Sequence, residues 1–125
     1  MTLVDSSGWI EYFTGGKLAD RFAPYLEDPA EVTTPTTVIF EVYRIIRRQR
    51  PEEEALEAVA QMQKTRVVDF DQLLALSAAE LSIEHGLATA DAIVYATARF
   101  HRIDLVTADT DFEGLPGARV FSKRR

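Results

Sequence analysis

The chain has 125 residues, 46% of them hydrophobic, enough for one packed core and too few for two ordinary domains, so residues 1–125 are expected to form a single domain. It contains no cysteine, which excludes disulfides, zinc–thiolate sites and thiol nucleophiles and suits a cytoplasmic protein. Fourteen basic against twenty acidic side chains leave a net charge of −6, the wrong sign for holding nucleic acid by bulk electrostatics, so any such role must come from a local site.

The opening MTLVDSSGWI lacks the basic and long apolar segments of an export signal, and no apolar run reaches the roughly 18 residues of a membrane span. Thr2, Leu3 and Val4 lead into Asp5, Ser6, Ser7 and Gly8, which predicts a buried strand, a turn and a helix start. Trp9, Tyr12 and Phe13 are expected to pack that short helix on the core. Beyond the Gly15–Gly16 loop, Lys17 to Leu26 places Leu18, Phe22 and Leu26 on one helical face, although Pro24 interrupts it. Glu31 to Thr33 reads as a second strand. Thr34 is then expected to cap a helix that has Pro35 in its first turn and runs to about Arg48. Its apolar stripe is Val38, Val42, Ile45 and Ile46. Pro51 opens another helix, with acids in its first turn and Lys64 in its last.

Arg66 to Phe70 suggests a third strand. A helix follows from Asp71 or Gln72, with Leu73, Leu76, Ala79, Leu81 and Ile83 expected inward and Gly86 as its C-terminal stop. Thr89 is expected to cap the next helix, which has Asp91 in its first turn. The segments ending at Thr107 and Phe121 read as the fourth and fifth strands. His85 and His101 fall near helix ends, where a cation suits the dipole. Strands and helices alternate throughout, which implies an α/β fold with a mostly parallel sheet covered on both faces.

Four acids are placed to meet. In open α/β sheets ligands bind beyond the carboxyl ends of the strands, and Asp5 and Asp109 both sit at such ends. If the first and fourth strands are neighbours, the helices carrying Glu41 and Asp91 start beside the same crevice. Glu41 lies within the apolar stripe of its helix, where a carboxylate is costly without a compensating charge. Singly, each acid also reads as a cap, a dipole partner or a surface residue. Together they predict mutual repulsion, at least one raised pKa, and relief by a hard divalent cation such as Mg²⁺ or Mn²⁺. Such a cation polarises a phosphoryl oxygen and makes water a better nucleophile, which is the chemistry of a phosphodiester hydrolase.

Four segments, L-V-D-S-S-G-W, T-V-I-F-E-V, T-A-D-A-I-V-Y-A-T-A and L-V-T-A-D-T-D-F, together resemble the PIN domain and, more narrowly, VapC-type toxins of toxin–antitoxin pairs. The resemblance spans essentially the whole chain. It implies a three-layer α/β/α domain with a five-stranded parallel sheet in the order 3-2-1-4-5. It also implies Mg²⁺- or Mn²⁺-dependent endoribonuclease activity, a homodimer, and inhibition by a cognate antitoxin. Carried over by residue, the catalytic metal-site acids are Asp5, Glu41, Asp91 and Asp109. Asp111 matches a further acid at the rim or behind the ligands, and Ser6 and Thr107 match hydroxyls that orient the site. Tyr43, Arg44 and Arg47 lie within two turns of Glu41, within reach of RNA or an antitoxin, although an exposed arginine face is the commoner reading.

Two other functions compete. A receiver-like phospho-acceptor domain has similar size and acids at strand ends, but it wants an adjacent acid pair where Asp5 is followed by Ser6, and a lysine after its last strand. A binding module could use the acidic crevice only to accept a partner's arginine, and would then gain little thermal stability from Mn²⁺.

Overall fold

A computed structural model describes residues 1–122; the basic cluster Lys123, Arg124 and Arg125 lies outside them. The elements in chain order are β1 (Thr2–Val4), α1 (Ser6–Thr14), α2 (Ala19–Leu26), β2 (Val32–Pro35), α3 (Thr36–Gln49), α4 (Glu52–Met62), β3 (Arg66–Val68), α5 (Gln72–His85), α6 (Thr89–His101), β4 (Asp104–Thr107) and β5 (Ala118–Val120). Short 3-10 turns at Pro29–Glu31 and Thr110–Phe112 complete the path. The five strands form one parallel sheet in the order β3-β2-β1-β4-β5, with helices on both faces in an α/β/α arrangement. No helix among the described residues is long and apolar enough to cross a membrane.

The central strands carry no alternation. Leu3, Val4, Leu105 and Val106 are all fully buried, as expected of strands covered on both sides. Register then positions the crevice: Val4 pairs with Val106, so Asp5, one residue past β1, stands beside Thr107, the last residue of β4. Helix α1 starts at once after Asp5 and packs so tightly that a Cβ on Gly8 would fall 2.5 Å from Val4 Cγ1 and 2.7 Å from Phe22 Cε1. Gly8→Ala is therefore expected to destabilise the fold by about 1–3 kcal/mol, even though alanine is the better helix former. Urea unfolding measures this, and an unchanged or higher midpoint would mean that the contact yields.

Several local expectations hold in detail. Asp71 caps α5, accepting from the Leu74 N–H at 2.9 Å, and Gly86 ends it at φ 70° with its N–H on the Ser82 carbonyl. Trp9 is buried and stacks on Phe13 with ring centroids 5.4 Å apart. Helix α2 accommodates Pro24. His85 and His101 are the last residues of α5 and α6, but burial and the nearby Arg66 push the His101 pKa down, which disfavours the cationic form there.

Several expectations are corrected. Thr89 does not cap α6 but is its first residue, behind Ala88 and with no side-chain cap hydrogen bond, and α4 ends at Met62, short of Lys64. Thr34 does not cap α3. It is a buried strand residue whose Oγ1 lies 2.6 Å from Thr65 Oγ1, and β2 continues through Pro35, whose extended backbone precedes the first turn. Ile45 is exposed, leaving Val38 and Val42 as the buried residues of the α3 stripe. The inward face of α5 is also rotated from the expected one: Leu74 and Ala78 are buried, whereas Leu73, Leu76 and Ile83 are 59%, 61% and 81% exposed and Ala79 is exposed too. Because α5 carries apolar residues around most of its circumference, periodicity alone does not fix which side faces the core.

Candidate metal centre

Asp5 has two roles. It is the N-cap of α1, where its Oδ1 accepts from the Gly8 N–H at 3.4 Å, and it is the innermost acid of the crevice, 5% exposed. Two hydroxyls hold it further: Ser7 Oγ donates to Oδ1 at 2.7 Å and Thr107 Oγ1 donates to Oδ2 at 2.8 Å. An ionised carboxylate offers about four acceptor positions, so these three bonds leave one for an incoming ligand.

The hydroxyls are themselves fixed by the backbone after β4. Ser7 Oγ accepts from the Ala108 N–H and Thr107 Oγ1 from the Asp109 N–H, both at 2.9 Å. Thr107 thus bonds the Asp5 carboxylate on one side and the Asp109 N–H on the other. The other hydroxyl belongs to Ser7 and not to Ser6: Ser6 is the first residue of α1, and the helical path brings the next serine back toward the Asp5 carboxylate.

Asp91 stands in the first turn of α6, and Asp109 caps the 3-10 turn after β4, its Oδ1 accepting from the Asp111 N–H at 2.9 Å. One carboxylate oxygen from each of Asp91, Asp109 and Asp111 lies within 4.8 Å of the other two. Asp111 was expected at the rim, and it is exposed, yet it belongs to this triangle. Asp5 and Glu41 stand outside it but close enough for their charges to reach Asp91. Helix α3, which carries Glu41, packs against α6.

Charge crowding shows in the acidities. The Asp91 carboxyl is raised from 3.8 to about 6, first by burial and then by the charges of Asp109, Asp111, Asp5 and Glu41. Asp5 is likewise raised to about 6, chiefly by burial and slightly by Asp109, against the lowering effect of Ser7, Thr107 and the Gly8 N–H. Ligand oxygens around an octahedral Mg²⁺ stand about 3 Å apart when adjacent and about 4 Å when opposite, given bonds of about 2.1 Å. An all-oxygen, all-acid cluster of the observed spread suits a hard divalent cation that keeps several of its waters.

One buried acid has a different role. Glu11 was not singled out in the sequence; it is 8% exposed, and its Oε1 accepts from the Leu18 N–H at 2.8 Å, closing the loop between α1 and α2. A Cβ on Gly16 would fall 2.5 Å from that oxygen, so Gly16 makes room for the carboxylate, while Gly15 takes the left-handed φ of 66° that ends α1. The signal available in the sequence was a glutamate on the apolar face of a short helix that ends in two glycines.

Comparison with known proteins gives this arrangement its context. A toxin–antitoxin complex from Klebsiella pneumoniae superposes with a TM-score of 0.83 at 26% identity, covering 98% of this chain and 99% of that one. VapC20 from Mycobacterium tuberculosis gives 0.77 at 21% identity, over 94% and 96% of the two chains. DNA-bound VapBC from Salmonella typhimurium gives 0.75 at 17% identity, over 97% and 96%. No curated protein matches the sequence. The family model of the PIN domain matches residues 2–118, nearly the whole chain, and this protein belongs to the PIN domain family.

Proposed function

We propose that this protein is a divalent-metal-dependent endoribonuclease, acting in the cytoplasm as the toxin of a toxin–antitoxin pair, and that Asp5, Glu41, Asp91 and Asp109 form its catalytic metal site. The observation that carries this reading is the position of Asp91, whose carboxyl is raised to about 6 partly by four other acids drawn from three distant stretches of chain. Membership of the PIN family supports nuclease chemistry, and the match over residues 2–118 supports one PIN domain over the chain. Structural neighbours described as a toxin–antitoxin complex and as a sarcin–ricin loop cleaving toxin support the toxin role.

Each residue has a definite task in this reading. A bound Mg²⁺ or Mn²⁺ supplies charge neutralisation and polarisation of the scissile phosphoryl group. Asp91 and Asp109, with Asp111 beside them, offer hard oxygens to that ion. Asp5 sits deepest, its orientation fixed by Ser7 and Thr107, so that its remaining acceptor position points consistently. Glu41 adds negative charge from the α3 side. RNA ends sequenced after induced expression of the wild-type protein should show new cleavage sites, and excess EDTA should abolish cleavage in vitro. Full activity in EDTA would remove the metal-dependent reading.

The partners follow from the surface. Neighbours described as VapBC and as a toxin–antitoxin complex support a cognate antitoxin, and an acidic crevice is suited to accept a basic side chain from it. The binding-module alternative is thereby absorbed as the inhibited state of the same site. The receiver-like alternative finds no acid adjacent to Asp5 and no support in a PIN family match.

A second copy of the chain suits the outer face of α5. Leu73, Leu76 and Ile83 are exposed on α5, and Ile83 with Ala75, Ala78, Ala79 and Ala92 lines part of a hollow of about 430 Å³. Protruding leucines next to an alanine-lined hollow are self-complementary, as a two-fold interface requires. Leu76→Glu is expected to convert the dimer to monomer in sedimentation equilibrium, because an ionised carboxylate keeps its hydration only if the interface opens. A wild-type protein that is already monomeric at micromolar concentration would count against the homodimer.

A further inference from the structure

The helix that carries Glu41 has a second feature. Arg44, Arg47, Arg48 and Arg50 fall within one short segment of a chain whose net charge is −6. None of these four arginines takes part in an ion pair among the described residues, such as Met1–Glu31 or Asp104–Arg119. Arg47 donates to the Arg50 carbonyl at 3.2 Å, which stiffens the end of the helix without removing charge. Among these cations Phe40 is 62% exposed, although an aromatic ring of its size normally contributes most when buried. Phe40, Tyr43, Arg44, Arg47 and Arg48 together line a shallow groove of about 310 Å³.

Helical spacing ties this groove to the acids. Arg44 and Arg48 follow Glu41 by three and seven residues and share its face, while Phe40, Arg44 and Arg47 form the adjoining strip. At about 1.5 Å per residue, the run from Glu41 to Arg48 covers about 10 Å. Glu41 in turn lies within the field felt by Asp91, so the strip begins at the acid cluster and leads away from it.

We propose that this outer face of α3 is the track on which single-stranded RNA lies as its phosphodiester reaches the acids, a proposal that rests on the nuclease reading above. Phe40 and Tyr43 provide flat faces on which bases stack, and Arg44, Arg47 and Arg48 hold the phosphates. A polyanion approaching five acids on an acidic protein needs local cations, and these arginines make no ion pair with a carboxylate among the described residues. A nucleic-acid strand brings a counter-charge with every residue, whereas a protein surface seated here must place a carboxylate opposite each guanidinium group that it desolvates. The strand must be single because stacking needs bases released from a duplex.

The test is fluorescence anisotropy of a labelled mixed-sequence single-stranded RNA, with cleavage suppressed by EDTA, over a series of salt concentrations. The Arg44→Gln/Arg48→Gln double variant should bind at least about tenfold more weakly, and its log–log salt slope should be shallower by about 1.4, as two lost phosphate contacts require. Phe40→Leu should lose about fivefold or more with the slope unchanged, since stacking carries no counterion release. All three side chains are exposed, so the thermal midpoints should stay at the wild-type value. No measurable wild-type affinity, or an affinity unchanged in the double variant, overturns the proposal. So does loss of self-association with RNA affinity retained, which would assign the face to a second copy. If the wild-type protein binds in this pattern yet cleaves no RNA with Mn²⁺, the enzymatic reading falls and the track stands.

Discussion

Asp91→Asn is expected to lower the rate of RNA cleavage by about a hundredfold or more while making the metal-free protein harder to melt at neutral pH. Both effects have one cause. Asp91 provides an oxygen of the acid triangle, so the amide removes one negative charge from it. The same carboxyl is raised from 3.8 to about 6 in the fold, so its ionised form is disfavoured there relative to the unfolded chain. A group whose folded pKa lies above its unfolded value penalises the fold above the folded pKa, and the penalty is relieved as pH falls from about 6 toward about 4. The stabilising effect of the amide should therefore be present at pH 7.5 and vanish near pH 4. Initial rates with Mn²⁺ and thermal melts in EDTA at several pH values measure the two halves. Cleavage at the wild-type rate would remove Asp91 from the site, and a destabilised variant at pH 7.5 would show that the crowding is not felt.

How much of this could be read in the sequence differs between the sheet and its cover. The strand positions were legible because a buried parallel strand is a short apolar run with a chemical boundary, as Leu3 and Val4 before Asp5 and Leu105 and Val106 before Thr107 show. The strand order came from the family resemblance and is the order observed. Helix α5 was located correctly and its phase was misread, because leucines at Leu73 and Leu76 compete with Leu74 for the inward face. Nothing local distinguishes a side chain packed on its own core from one prepared for another surface. Pro35 misled in a different way: proline suits a first helical turn, but here the chain needs one more extended residue to pair with Val68 before turning.

The four acids are expected as a set from the sequence; the structure joins Asp91 and Asp109 with Asp111 and leaves Asp5 and Glu41 outside that triangle, within reach of Asp91 by charge. Register and helix starts, which follow from the alternation of elements, place them at one end of the sheet. The choice between Ser6 and Ser7 depends on helical phase after the cap, a quantity set by the tight approach of Gly8 to Val4 and Phe22. Asp111 joins Asp91 and Asp109 because the Asp109 carboxylate holds the next turn by accepting the Asp111 N–H, a local bond that the T-A-D-T-D segment permits but does not dictate.

Metal and pH should act on the same carboxylates, and this gives the second large effect. Asp5, raised from 3.8 to about 6 and almost fully buried, should cost the metal-free fold on the order of 3 kcal/mol of stability above pH 6. Mn²⁺ at a hundredfold excess over its Kd should restore about 2.7 kcal/mol, and at a thousandfold about 4.1 kcal/mol, because it binds the folded site and not the dispersed acids of the unfolded chain. Protons compete for the same oxygens, so the gain in thermal midpoint should be large at pH 7.5 and small at pH 5. In Asp91→Asn most of the gain should disappear, while Leu76→Glu should keep it, since that face lies outside the acid cluster. Melts with and without Mn²⁺ at both pH values decide the matter: a gain independent of pH, or one retained in Asp91→Asn, would place the ion away from these carboxylates.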